Sequence, residues 1–162
     1  MKGEVGSIKC LCHGDYRMNN IMVREENGKL CEVLPIDYQQ IYYGNPIIDL
    51  IYFIYASSDS SFRRRHLHYL KDFYFDAFTE FLGCFDMTGE NVYPKDKFDK
   101  CFIECLDYAL MFSLYFYPFF YVSENETHDG NDDLMEISIK VDGRMKERIE
   151  GVVNDFIEMG LI

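Results

Sequence analysis

The sequence predicts an α+β fold, mostly helical, with short strands near the N-terminus followed by a helical bundle. Three observations carry this expectation. Apolar runs of strand length, Ile8 to Cys12, Ile21 to Arg24 and Leu30 to Ile36, are separated by polar loops, the second of which holds the Asn27-Gly28 hairpin signal. Beyond Gly44 the apolar positions recur at three- and four-residue spacings. The hydrophobic fraction is 48% and the aromatic fraction 17%, which argues for a packed core and against disorder.

Taken in order, the strand-like runs flank a polar loop and then a hairpin through Glu25-Glu26-Asn27-Gly28-Lys29, which returns Asp37 toward Asn20. Pro46 to about Ser57 reads as a helix with a proline suited to its first turn and a dense apolar face. Arg63 to about Leu82 places Leu67, Leu70, Phe73 or Tyr74, Ala77 or Phe78, and Phe81 at three- and four-residue spacings, the pattern of an amphipathic core helix. Its first residues, Arg63, Arg64, Arg65, His66 and His68, read as a solvated face, with contact to an anionic substrate as the alternative.

A third helix is expected from about Lys97 to Val122. Its apolar run from Tyr108 to Val122 is shorter than the ~20 residues of a membrane span and contains Pro118, so it reads as a buried helix that the proline kinks or ends. The rings between Phe112 and Tyr121 read as core, or alternatively as the lining of a site for a lipophilic alcohol. Ser123 to Asp133 is an acidic loop without the ligand alternation of an EF-hand, and a final helix is expected from about Leu134 to Met159. With 162 residues, one domain spanning 1–162 is expected, large enough to bury roughly 68–70% of its unfolded surface.

Composition excludes several classes of function. Lysine and arginine number 16 against 28 acidic residues, a net charge of -12, the wrong sign for tracking a phosphate backbone, so no nucleic-acid partner is expected. Met1 to Lys9 lacks the apolar core of a signal peptide, which predicts a cytoplasmic protein whose six cysteines are reduced thiols. A zinc site would want CxxC-type pairs with a partner pair at suitable spacing, and the sequence has none, so the cysteines are not expected to bind metal. Without a secretory route, the sequon at Asn125 is only a polar loop.

The chemistry resides in Leu11-Cys12-His13-Gly14-Asp15-Tyr16-Arg17-Met18-Asn19-Asn20-Ile21-Met22-Val23 and in Ile36-Asp37-Tyr38-Gln39. A carboxylate in a loop can take the proton of an attacking hydroxyl, and Asp15 is the candidate base. Asn20 and Asp37 offer hard oxygens of the kind that hold a magnesium ion shared with substrate phosphates. A base, an asparagine five residues on, and an aspartate beyond a hairpin is the order of kinase-type phosphoryl transfer. An isolated Asp and Asn at this spacing would read as turn-capping residues; the joint pattern carries the catalytic reading. Asp49, in the first turn of a helical stretch, reads as a structural carboxylate favoured by the helix dipole. His13 reads as a loop-holding ring rather than a proton carrier.

At these residues the chain resembles the aminoglycoside phosphotransferase and choline kinase group of small-molecule kinases. The segments LCHGDYRMNNIMV, IDYQ and YGNPIIDLIYF look most like its ecdysteroid kinase-like branch, also called the CHK kinase-like family and abundant in insects. The resemblance runs from about Ile8 to the end of the chain, with Tyr38 standing where the family often has phenylalanine. It implies the C-terminal lobe of a protein-kinase-like fold, Asp15 as catalytic base, Asn20 and Asp37 as Mg2+ ligands, Asp49 as a brace behind the catalytic loop, ATP as co-substrate and a small hydroxylated, lipophilic acceptor such as an ecdysteroid or a xenobiotic metabolite.

Kinase-type transfer also needs a lobe that covers the nucleotide phosphates with a glycine-rich loop and a strand lysine. Met1 to Ser7 is too short to supply it, and Gly3 and Gly6 are not such a loop. The expectation is therefore a catalytic lobe whose nucleotide-gripping lobe is missing, and which turns over poorly or not at all on its own. The rival expectation is a non-catalytic binding or regulatory protein derived from such a lobe.

Overall fold

A computed structural model describes residues 8–120 and 143–162. The fold is α+β and mostly helical, as the sequence predicts, and is consistent with one lobe of a kinase-like fold. Strand β1 (Cys10–Cys12) leads through a single 3-10 turn (Met18–Asn20) into β2 (Ile21–Glu26), β3 (Lys29–Pro35) and β4 (Tyr42–Gly44). The helices are α1 (Pro46–Ser57), α2 (Ser60–Gly83), α3 (Gly89–Val92), α4 (Lys95–Phe120) and α5 (Gly143–Glu158).

The strands form two antiparallel pairs, β1 with β4 and β2 with β3. In the second pair Glu26 faces Lys29, so the turn is the two residues Asn27 and Gly28, both at positive φ (54° and 74°), as a primed hairpin turn requires. The first pair was not anticipated, because Tyr42 to Gly44 is too short to show a period. It exists because residues 37–41 turn the chain back until Tyr43 lies opposite Leu11.

The chain divides into two compact units, residues 1–109 and 110–162. In the first, α1 packs against β1, the 3-10 turn and α2. Ile47, Ile51, Ile54 and Tyr55 of α1 are buried, and Phe98 of α4 gathers Tyr74, Phe75, Tyr93 and Phe102 in ring contacts with centroids 5.1–6.4 Å away. Helix α2 begins three residues earlier than the apolar pattern suggests, because Asp59 caps it by accepting the Phe62 N–H at 2.7 Å. The cap reshapes the basic start of that helix. Arg63 is 2% exposed, donating to the Ser58 carbonyl at 2.6 Å with its guanidinium over the Tyr55 ring at 4.7 Å, whereas Arg64, Arg65 and His68 are exposed as expected of a solvated face.

In the second unit Phe112 is buried and stacks on Phe116 with centroids 5.2 Å apart, while Leu114, Tyr115 and Phe116 keep substantial exposure. Helix α5 buries Met145, Val152 and Phe156. Pro118 lies inside α4 rather than ending it. The expected acidic loop, its sequon and the first part of the last helix lie outside the described residues. No helix among the described residues is long and apolar enough to cross a membrane. All six cysteines are free thiols.

Candidate active site

The loop between β1 and the 3-10 turn is held by two side chains, Asp49 and His13. Asp49, in the first turn of α1, accepts the backbone N–H of His13 at 2.6 Å and that of Gly14 at 3.0 Å, so the brace expected at this position is present. His13 is buried and uses both ring nitrogens. Its Nδ1 accepts the Asp15 N–H at 3.3 Å, which leaves the proton on Nε2, and Nε2 donates to the Ile36 carbonyl at 2.9 Å. The ring thus ties the loop to the residue before Asp37, the holding role expected of it.

Gly14 adds a steric condition. Its φ is +85°, and a Cβ there would lie 2.1 Å from the Gln40 carbonyl oxygen, so only glycine lets the loop close on residues 37–41. Asp37 itself takes the left-handed region at φ 63°, which aspartate tolerates better than most side chains.

Asp15 and Asn20 are brought together. Both are buried, and the Asn20 Nδ2 donates to Asp15 Oδ2 and to the Asp15 carbonyl, each at 2.8 Å. Because both partners are acceptors, the amide nitrogen must face them, which turns Oδ1 of Asn20 the other way. The second carboxylate oxygen of Asp15 accepts the hydroxyl of Tyr52 at 2.5 Å and lies 3.2 Å from Nε of Arg17. Burial, and then its bond to Asp15, push the Tyr52 hydroxyl above the usual tyrosine range, so it remains a donor at any working pH.

Tyr52 escaped the sequence reading. The available signal was its spacing from Asp49: residues three apart on a helix share a face, and this face of α1 looks onto the loop. Phe53 follows it, in ring contact with Tyr16 at 5.3 Å.

Asp37 is placed beside this group through the backbone, since the Ile36 N–H donates to the Asn20 carbonyl at 2.9 Å. Its carboxylate is exposed, with one weak 3.5 Å contact from Gln39 Nε2. The donor chemistry fits magnesium: one carboxylate and one amide oxygen, both hard, neither engaged in a strong hydrogen bond among the described residues. No three histidine, cysteine or carboxylate groups that could hold a metal ion converge among the described residues.

Behind the loop lies a largely apolar cavity of about 580 Å³, walled by His13, Tyr16, Tyr38, Asp49, Phe53 and Phe73 among others. Asp15, Asn20 and Asp37 are not on its walls.

No curated protein and no solved structure matches the chain. The model of the Ecdysteroid kinase-like family matches residues 1–87, which take in both strand pairs, the His13–Asn20 loop, α1 and α2, though not the helices beyond, over which the sequence resemblance had been expected to continue. On that match, over more than half of its length, the chain belongs to the ecdysteroid kinase-like family.

Proposed function

We propose that this chain carries the catalytic half of an ATP- and Mg2+-dependent phosphotransferase acting on a hydroxyl of a small, lipophilic acceptor of the ecdysteroid or xenobiotic type. The observation that carries the proposal is the hydrogen-bonded pair of Asp15 and Asn20, with Asp37 joined to it through Ile36. Family membership supports the transfer of a phosphoryl group from ATP.

In this reading Asp15 accepts the proton of the acceptor hydroxyl as its oxygen attacks. Tyr52 and Asn20 each donate to one of its carboxylate oxygens, which orients the group and leaves a further lone pair on each for the substrate. Arg17 lies beside it, with Nε 3.2 Å from Oδ1. Asn20 and Asp37 would hold Mg2+, which when bound neutralises charge on the transferring phosphoryl group. The hydrogen bonds of Asp49 and His13 fix the loop, so that positioning, which dominates such reactions, is built in before substrate arrives. A separate lobe that grips the nucleotide phosphates, supplied in cis, belongs to the same proposal.

The test is transfer of labelled γ-phosphate to a polyhydroxylated steroid, measured on this chain and on a protein extended at its N-terminus from the same locus. The extended protein is expected to transfer, with Asp15→Asn reducing the rate about 10²–10⁴-fold. Transfer that survives in Asp15→Asn would refute the base assignment. An extended protein that binds the steroid without phosphorylating it would favour the non-catalytic alternative.

A further inference from the structure

The cavity behind the catalytic loop takes no part in the chemistry proposed above. It lies within residues 1–109, walled chiefly by β1, the His13–Asn20 loop, α1 and α2. Its volume of about 580 Å³ falls in the range of about 300–1,000 Å³ typical of small-molecule sites. Because Asp15, Asn20 and Asp37 are off its walls, a molecule held there leaves those side chains free.

Most polar atoms on the walls are already engaged. Both Asp49 oxygens accept backbone N–H groups, and the His13 ring is bonded through Nδ1 to the Asp15 N–H and through Nε2 to the Ile36 carbonyl. Tyr16 and Tyr74 differ, since neither hydroxyl makes a hydrogen bond to the described residues. Burial is the main cause that holds both hydroxyls above the usual tyrosine range, so both stay donors. Water makes a poor occupant here, because a buried water needs about three hydrogen bonds and the lining is largely apolar.

The same walls form the back of the catalytic loop. His13 lies between Tyr16 and Tyr38, with ring centroids 5.5 and 4.5 Å away, and these tyrosines directly follow Asp15 and Asp37 in the chain. Leu11 and Phe73 also line the cavity and are 68% and 58% exposed, apolar surface that an occupant would cover.

We propose that this cavity is an effector site for a neutral, ring-bearing lipophile with an acceptor oxygen, and that filling it holds the catalytic loop in its bonded form. The apolar body covers Leu11 and Phe73 and lies against Tyr16 and Tyr38, while the oxygen accepts the Tyr74 hydroxyl. Neutrality follows from the walls. Asp49 is the one charged group on them and the chain carries a net charge of -12, so an anion is repelled. A cation gains little from a carboxylate that already serves two N–H groups. Asp49 and His13 both hold the loop and both stand on the wall, so the occupant favours the held loop over the released one and stabilises it by mass action.

Prodan, a neutral naphthalene ketone whose emission moves to the blue in apolar surroundings, tests the site on the full chain. One molecule per chain is expected, with naphthalene-2-sulfonate bound at least tenfold more weakly. Ala77→Leu fills the cavity from an exposed position of α2 and Phe73→Glu charges its wall; each should weaken prodan binding at least tenfold. Tyr74→Phe should weaken it about three- to tenfold through the lost donor. Met111→Ser, at an exposed apolar position of α4 off the cavity walls, leaves binding unchanged. On the unaltered chain, prodan at ten times its Kd should slow hydrogen exchange of the His13 and Gly14 amides about tenfold, and leave the amides of β2 and β3 within twofold. Equal binding by Ala77→Leu, Phe73→Glu and the unaltered chain overturns the proposal, as does prodan bound with His13 and Gly14 exchange unchanged. An N-terminally extended protein from the same locus that takes up no prodan overturns it too, because a segment of the protein itself would then fill the cavity. None of these readouts uses phosphoryl transfer, so their outcome is separate from the role of Asp15.

Discussion

Replacing Asp49 by asparagine changes one atom and tests what holds the catalytic loop. The carboxylate accepts two backbone N–H groups, from His13 at 2.6 Å and Gly14 at 3.0 Å. An amide has one acceptor oxygen, so one of these N–H groups would face an NH2. A hydrogen bond to a charged group contributes about 1.5–3 kcal/mol and a neutral one about 1 kcal/mol. Losing one charged bond and weakening the other to neutral sums to about 3 kcal/mol. Asp49 is only half-buried, so water can replace part of this, and a net loss of about 2 kcal/mol is expected. With a urea slope of about 2 kcal/mol/M, the unfolding midpoint should fall by about 1 M. Amide hydrogen exchange gives the local reading: the His13 and Gly14 amides should lose protection before the α1 core around Ile51 does. A midpoint shift below about 0.25 M with both amides still protected would show that the loop is held by something other than this carboxylate.

Three further outcomes follow from the same geometry. Gly14→Ala places a Cβ 2.1 Å from the Gln40 oxygen at φ +85°, whereas Gly28→Ala meets nothing within 4 Å at φ +74°. Both should lose the roughly 1–2 kcal/mol of left-handed strain, and Gly14→Ala distinctly more, in urea unfolding; equal losses would refute the close approach of the loop to residues 37–41. Tyr52→Phe removes the 2.5 Å bond to Asp15 while keeping the ring, and should cost about 1.5–3 kcal/mol of stability by the same measurement. In a protein that transfers phosphate, Tyr52→Phe should also lower kcat/KM about tenfold, because Asp15 loses the hydroxyl that orients it; an unchanged kcat/KM would remove Tyr52 from the base's surroundings.

The candidate site was legible in the sequence to the extent that its parts are local. Asp15 and Asn20 are five residues apart, and the 3-10 turn at Met18–Asn20 brings them into direct contact. Asn27-Gly28 specified a two-residue turn because few other residue pairs accept positive φ twice, and that turn returned Ile36 to Asn20 as expected. Tyr52, Arg63 and β4 were not legible, each for the same reason. The partner that defines the role of each is distant in sequence or unmarked by any period: Asp15 for Tyr52, the Tyr55 ring and Ser58 carbonyl for Arg63, and Leu11 for Tyr43.

By itself the sequence determined the kind of chain this is: strands first, helices after, and a polar loop from His13 to Asn20 in segments that resemble one family. Those properties rest on local periods, turn residues and spacing, which act within a few residues. Tertiary structure alone decided that Asp49 would grip the loop amides, that His13 would reach Ile36, that Tyr52 would reach Asp15, and that Cys101 and Cys105 of α4 would share the amide of Asn45. Such contacts join residues 23 to 60 positions apart, and a side chain's partner at that distance is chosen by how the helices pack.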